Sequence, residues 1–284
     1  MLKTKKKQSR FKREPEKSKL LALQKRDLKV LLAVTTELFL TTEQIHKLFF
    51  PSYQVATRRL QKLWNAGYLQ REFLPVITGS CPIIYCPNRL TINALLENGL
   101  IEEKNIKWQA RFAKISPDKK KHEIEINDIK IALSKAIERH PDIKLIHWSK
   151  GRGYWDKVRV IDKQTGQMKY LPVCPDRFII LQKQNQKPLY IFLEHDRGTM
   201  SMGSIKNKMI AYCQYLVGQG FYKKYGKPSY PVSDYVFKVL FTVPTEIRRN
   251  KLIEQRKDIL NPEIFYFIVL DKFLVDPLGL FFDL

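Results

Sequence analysis

Cys174-Pro175-Asp176-Arg177-Phe178-Ile179-Ile180 and, past a polar turn, Tyr190-Ile191-Phe192-Leu193-Glu194-His195-Asp196-Arg197-Gly198 are the stretches on which the reading of this chain turns. Each is an apolar strand pattern with carboxylates at one end, and the short connection folds the two into a hairpin. If Gln182 pairs near Leu189, counting outward sets Asp176 opposite His195, within one position of both Glu194 and Asp196. Period-two alternation then puts Glu194 and Asp196 on one face and His195 on the other, and a one-residue bulge decides whether Asp176 joins them. Carboxylates gathered in this way repel one another unless a cation or basic side chains compensate. Two readings follow: a Mg²⁺ or Mn²⁺ site held by Asp176, Glu194 and Asp196, or a surface cluster paired with neighbouring Lys and Arg. A bound ion would polarise a phosphate, activate water and stabilise the departing oxygen, which is the chemistry of phosphodiester cleavage.

The surroundings of the hairpin read as one layered unit. A long helix beginning at His122 carries Ile126, Ile129, Leu133 and Ile137 inward and ends at His140-Pro141. Strands are expected over 144–148, 158–162, 168–171, 177–181 and 189–194, with turns at Gly151-Arg152-Gly153 and Gln164-Thr165-Gly166. A helix over 204–217 buries Ile205, Met209, Tyr212 and Leu216, and strand 235–243, helix 245–260 and strand 264–270 close the pattern. That order gives an α+β arrangement with a mixed sheet flanked by helices. The apolar tail Phe273-Leu274-Val275 and Leu278-Gly279-Leu280-Phe281-Phe282 either packs on this core or docks on another protein.

Upstream the pattern is helical. Leu28, Leu31, Leu32 and Leu38 mark a first helix over 25–36, Thr41-Thr42-Glu43-Gln44 caps a second through Ile45, Leu48 and Phe49, and Ser52 caps a third. In the third, Val55, Leu60, Leu63 and Trp64 face inward, Gln54, Thr57, Arg58, Gln61 and Lys62 face out, and Gly67 stands where a left-handed C′ residue belongs. Strand-like pieces at 68–73 and 83–85 follow, joined by a Pro, Gly and Ser loop. Three helices and a hairpin resemble the winged helix-turn-helix, whose third helix enters the major groove while the hairpin touches the backbone. Arg58, Arg59, Lys62 and, on the hairpin, Arg71 are the candidate DNA contacts; the alternative is a winged helix that mediates protein contacts. Residues 91–99 look like a further helix closed by Gly99.

Charge points the same way. The 284 residues carry 51 Lys plus Arg against 28 Asp plus Glu, a net charge of +23. Nucleic acid is the expected partner, because binding it is largely phosphate neutralisation. Residues 1–26 hold 11 basic and 2 acidic residues, so removing them leaves the remainder near +14. The expected organisation is a basic disordered arm over 1–22, a winged-helix domain over 23–102, a basic connector over 103–121 and a nuclease-like α+β domain over 122–284. No apolar run reaches the roughly 18 residues of a membrane span, and no signal-peptide core is visible, so a soluble cytoplasmic protein is expected. Cys81, Cys86, Cys174 and Cys213 have no paired metal spacing and read as thiols of a reducing compartment.

The Pro-Asp that opens one strand and the acidic end of the next resemble the PD-(D/E)XK nuclease superfamily. More narrowly, Leu193-Glu194-His195-Asp196-Arg197-Gly198-Thr199 with Lys208 and Tyr212 on the next helix, behind His122-Glu123-Ile124-Glu125-Ile126-Asn127-Asp128 and a winged helix, look like the replication-relaxation family of plasmids and mobile elements. The resemblance spans about 23–270 and implies a role in plasmid replication or DNA relaxation, with replication or mobilisation proteins as partners. It also exposes a departure: Asp196 stands where the superfamily motif has Lys. Lys208 is the candidate substitute, a lysine relocated to the helix, or else an ordinary solvated lysine. His122, Asn127 and Asp128 are read as structural, Glu123 as a candidate extra carboxylate, and Arg197 as a phosphate contact beside the flexible Gly198.

Two functions compete. One is a metal-dependent DNA nuclease or nickase using Asp176, Glu194, Asp196 and Lys208. The other is a non-catalytic DNA-binding replication or mobilisation factor, or a transcriptional regulator, with a degenerate nuclease-like domain. No tyrosine among the 13 is marked as a nucleophile by neighbouring histidines with metal spacing.

Overall fold

The computed structural model describes residues 11–15, 21–75, 79, 81–102, 115–161, 166–226, 231 and 235–282. The chain divides into two units, Met1–Ile131 and Ala132–Leu284. The division falls inside one helix, Pro117–Arg139.

In unit 1 the local signals of the sequence set the helix ends. Helix α1 (Lys25–Glu37) is followed by β1 (Leu40–Thr41), α2 (Thr42–Phe49), α3 (Tyr53–Asn65), β2 (Gln70–Phe73), β3 (Ile83–Cys86), α4 (Arg89–Glu97) and the long α5 (Pro117–Arg139). The Thr41 side chain accepts from the Gln44 backbone N–H, and the Gln44 side chain accepts from the Thr41 N–H, so two otherwise orphaned donors are satisfied. Ser52 caps α3 through Val55 N–H. At its other end Gly67 sits at φ +87, Gly67 N–H bonds Trp64 C=O at 3.1 Å, and Tyr68 N–H bonds Leu63 C=O at 2.9 Å. This pair of bonds satisfies carbonyls the helix leaves over, and it needs the left-handed residue. The strands form a small antiparallel sheet in the order β1-β3-β2.

The buried side of these helices holds Val30, Leu31, Val34, Ile45, Leu60, Leu63 and Leu95 in one cluster, and full burial of each such side chain contributes about 1.5–3 kcal/mol. Residues 11–15, expected as part of a disordered arm, lie against this unit. The Phe11 ring meets Phe73 at 4.6 Å, and Arg13 Nη2 donates to Leu69 C=O at 3.0 Å. One aromatic in an otherwise polar arm finds an aromatic on the hairpin, and the basic neighbours follow it. Residues 1–10 and 16–20 of the arm, residues 103–114 of the connector expected over 103–121, and residues 76–78 and 80 of the loop between β2 and β3 lie outside the described residues, and α5 begins within that connector, at Pro117.

Unit 2 is built on β4 (Ile143–Ser149), β7 (Arg177–Lys183), β8 (Leu189–His195), β9 (Phe237–Val243) and β10 (Phe265–Val269), in the order β10-β9-β8-β7-β4. β8, β9 and β10 run parallel, and β4, β7 and β8 are antiparallel, so the sheet is mixed, as expected. α6 (Met202–Val217) and α8 (Glu246–Arg256) contribute Ile205, Met209, Tyr212 and Leu252 to a core shared with Phe178, Phe192, Phe237, Val239 and Phe241. A separate two-stranded ribbon, β5 (Asp156–Ile161) and β6 (Met168–Val173), packs on α6 through Val160, Leu171 and Val173. Two short helices escaped the sequence reading: α7 (Gly220–Tyr225), and α9 (Leu270–Val275) within the apolar tail. The tail packs on its own unit, with Phe273, Leu278 and Phe282 buried. Among the described residues no helix is long and apolar enough to cross a membrane, and the four cysteines stand as thiols.

The hairpin register differs from expectation by one residue. Leu181 pairs with Leu189 and Arg177 with Leu193, which brings Asp176 level with Glu194 instead of His195. The physical reason lies on the helix-facing side. In the observed register Phe178 faces Phe192 and Ile180 faces Tyr190, and the Phe178 and Phe192 rings come within 5.2 Å of each other. A one-residue slip would turn one strand's aromatic row away from α6.

Candidate functional site

The end of β8 carries a buried polar cluster. Glu194 alternates with Phe192 on the side that faces α6, and it is only 2% exposed. Lys208 Nζ forms an ion pair with Glu194 Oε2, and Tyr212 Oη donates to Glu194 Oε1 at 2.6 Å. Lys208 and Tyr212 are four apart on α6, one helical turn, so both reach the same carboxylate. Of the two expectations for Lys208, a lysine reaching back to the carboxylates or an ordinary solvated one, the ion pair with Glu194 matches the geometry of the first.

Asp176 joins the same neighbourhood. Its Oδ2 accepts the His195 backbone N–H at 2.8 Å, and its own N–H bonds Leu193 C=O at 3.0 Å, which ties the strand entry to β8. Burial pushes the Glu194 carboxyl up to about 7, with Asp176 adding to the rise while Lys208 and Tyr212 oppose it. Burial acts to lower Lys208, but the charges of Glu194 and Asp176 outweigh it, and the ammonium stands above its ordinary value. The Tyr212 hydroxyl is raised well above its ordinary range by burial and by Glu194. The nearby Cys174 thiol is also raised, first by burial and then by Glu194.

Asp196 does not join this cluster. Arg248 Nε on α8 donates to Asp196 Oδ2 at 2.7 Å, and the N–H of Gly198, at φ +81, donates to Oδ1 at 2.9 Å. Arg248 also bonds Met200 C=O at 2.5 Å, so one guanidinium fastens the chain leaving β8 to α8. Nothing in the spacing of the sequence pointed to Arg248, because the contact spans 52 residues. His195 alternates away from Glu194, and its Nδ1 meets Thr242 Oγ1 on β9 at 2.8 Å. Arg197 is half-buried beside this turn.

These positions decide how a divalent cation would fit. Among the described residues no group of three or more His, Cys, Asp or Glu side chains is arranged to hold a metal. With Asp196 committed to Arg248, the three-carboxylate set expected from the sequence does not come together. Asp176 and Glu194 remain a pair, and the Glu194 carboxyl is raised chiefly by its burial, with the Asp176 charge adding to the rise. A divalent cation at this pair would have to share Glu194 Oε2 with the Lys208 ammonium and Oε1 with the Tyr212 hydroxyl.

In unit 1, Gln54, Arg58 and Lys62 of α3 are exposed at one-turn spacing, opposite the buried Ala56, Leu60, Leu63 and Trp64. Arg59 turns the other way. Its Nε donates to Asp27 Oδ1 at 2.8 Å, and Asp27 is fully buried. Arg71 lies over the Trp64 ring at 3.9 Å and reaches Tyr85 Oη at 3.3 Å, so it joins the hairpin to α3. Arg59→Ala is expected to cost about 2 kcal/mol, because the Asp27 charge then keeps only the Gln24 N–H and the α1 N-terminus. Arg58→Ala should stay within about 0.5 kcal/mol. The midpoints of urea denaturation of the two variants make the comparison.

In the family-like helix segment, Asn127 and Asp128 make contacts that join α5 to its neighbours in unit 1. Asn127 Nδ2 donates to Phe39 C=O at 2.8 Å, and Gln44 Nε2 donates to Asp128 Oδ1 at 2.9 Å and to Ile124 C=O at 2.8 Å. Thus Gln44 both caps α2 and locks it to α5. Glu123 is buried within unit 1. The family model described as replication-relaxation matches residues 31–228. No curated protein and no solved structure matches the chain.

Proposed function

The chain belongs to the replication-relaxation family, and from that membership we propose that it binds duplex DNA and serves in the replication or relaxation of a plasmid or mobile element. Unit 1 is read as a winged helix-turn-helix, with α3 the helix presented to the major groove and the β2–β3 hairpin the wing. The observation that carries this reading is the exposed row of Gln54, Arg58 and Lys62 on α3, in a chain of net charge +23. Arg59 and Arg71 serve this surface by holding α3 in place, and Arg58 and Lys62 meet the phosphates. Binding of a labelled duplex across a salt series is the test. Replacing Arg58 and Lys62 with Ala should lower the slope of log K against log salt by about 2, close to one counterion for each lost contact. An unchanged slope would remove α3 from the interface.

A second reading is favoured by the meeting of Asp176, Glu194 and Lys208 at one strand end. In it, unit 2 is a PD-(D/E)XK-like nuclease domain that nicks DNA. Asp176 and Glu194 would hold Mg²⁺ or Mn²⁺, and the ion would supply charge to the scissile phosphate. Lys208 would place a positive group beside the developing negative charge. Tyr212 orients Glu194 through its hydroxyl. Arg197 is a candidate phosphate contact at the mouth of this turn. Supercoiled plasmid incubated with Mn²⁺ should be nicked by the natural protein and left intact by Asp176→Ala and Lys208→Met. If the natural protein binds plasmid without nicking it, the non-catalytic replication or mobilisation factor stands instead.

A further inference from the structure

The β5–β6 ribbon of unit 2 has two faces with different characters. Pairing sets Val158 against Leu171 and Val160 against Lys169 on one face, and Arg159 against Tyr170 and Ile161 against Met168 on the other. The first face supplies Val160 and Leu171 to the core beneath α6. The second carries Lys157, Arg159, Ile161, Met168, Tyr170 and Pro172, all exposed. Tyr170 is 61% exposed and Ile161 71%. Two cations, an aromatic ring and aliphatic side chains share this surface, and among the described residues of the two strands' outward row none is a carboxylate.

The charge continues beside the ribbon. β5, the turn after α6 and α7 line a cleft of about 470 Å³ whose cations are Lys157, Arg159, Lys223 and Lys224 and whose one acid is Asp156. Asp156 lies on the inward side of the ribbon, opposite Val173, with Lys224 at 4.0 Å. Trp155, just before β5, is 46% exposed, and Lys224 Nζ bonds its carbonyl at 2.8 Å. An aromatic therefore stands at the entrance of the ribbon and another in its middle, with the Lys157 ammonium 5.1 Å from the Tyr170 ring centroid.

We propose that the outward face of the β5–β6 ribbon, with the adjoining lysine-lined cleft, is a binding site for single-stranded DNA. Duplex DNA offers cations its phosphates but keeps the faces of its bases stacked on one another. An unpaired strand offers both, and exposed aromatics between cations match it: bases stack on Trp155 and Tyr170 while Lys157, Arg159, Lys223 and Lys224 meet the backbone. The residues of this site are other than those assigned to the duplex contact and to the Asp176–Glu194 pair. It gives the protein a hold on the strand that replication or relaxation of a duplex exposes.

The test uses the full chain and fluorescence anisotropy of labelled oligo-dT, with a labelled duplex measured in parallel. Tyr170→Ala should weaken oligo-dT binding about tenfold, the loss of one stacked base, and leave duplex affinity unchanged. Tyr170→Phe keeps the ring and should bind oligo-dT as the natural protein does. Lys157→Ala with Arg159→Ala should flatten the oligo-dT salt dependence by about 1.4, at roughly 0.7 per lost phosphate contact. Oligo-dT affinity unchanged in Tyr170→Ala overturns the proposal and leaves this face to a protein partner. An equal loss on oligo-dT and duplex overturns it as well. Loss of duplex binding in the α3 variants, with oligo-dT binding intact, bears on unit 1 alone.

Discussion

Arg248→Met is expected to lower the stability of the protein by about 3–5 kcal/mol, because it strands the Asp196 carboxylate in the interior without its partner. Asp196 is 2% exposed, and Arg248 is the cation that meets it, at 2.7 Å. The Gly198 N–H remains, but one neutral donor does not offset a buried charge. Adding Asp196→Asn to Arg248→Met removes that charge, so the double variant should recover most of the loss. Urea denaturation of the natural chain, both single variants and the double variant gives the coupling between the two residues directly. If Arg248→Met proves as stable as the natural chain, Asp196 is not a structural anchor and returns as a candidate for the carboxylate site. Asp196 with Arg248 forms a strut between the end of β8 and α8.

Glu194 should leave a signature in the pH dependence of stability. Its carboxyl rises from 4.5 to about 7 on folding, chiefly through burial. A carboxyl with a raised folded value binds its proton more tightly in the folded state than in the unfolded one. Stability therefore falls as pH rises through the window from about 4.5 to 7, and the lost stabilisation stays lost above it. At about 1.4 kcal/mol per unit, the full shift corresponds to on the order of 3 kcal/mol. Glu194→Gln has no proton to lose and should lack this segment of the slope. Unfolding free energies measured between pH 4 and 8 with a chelator present make the comparison. Parallel profiles for the two proteins would show that Lys208 holds Glu194 ionised throughout.

Much of this organisation was legible from local signals. The caps at Thr41 and Ser52, the left-handed Gly67 and the apolar rows of α1 and α3 depend on residues a few positions apart, and all appear where the spacing puts them. The strands of unit 2 were equally clear, since alternation and turn residues are local too. The short helices α7 and α9 were missed because six residues hold too few turns for periodicity to show. Lys208 was reachable because its place on α6, beside the buried Met209 and four before Tyr212, sets it on a predictable helical face.

By itself the sequence determined the order of elements, the basic character of the chain, the hairpin with acids at one end and Lys208 as a candidate to meet them. Only the tertiary structure decided which acids share a site. Alternation assigned Glu194 and Asp196 to the same face, but the register was set by aromatic packing of Phe178 against Phe192 beneath α6. The partner of Asp196 came from a helix 52 residues away. Arg58 and Arg59 are neighbours in sequence, yet one is exposed and the other closes on buried Asp27. A charge's role depends on what the folded chain brings within a few ångströms of it, because Coulomb interactions are strong only where burial removes water.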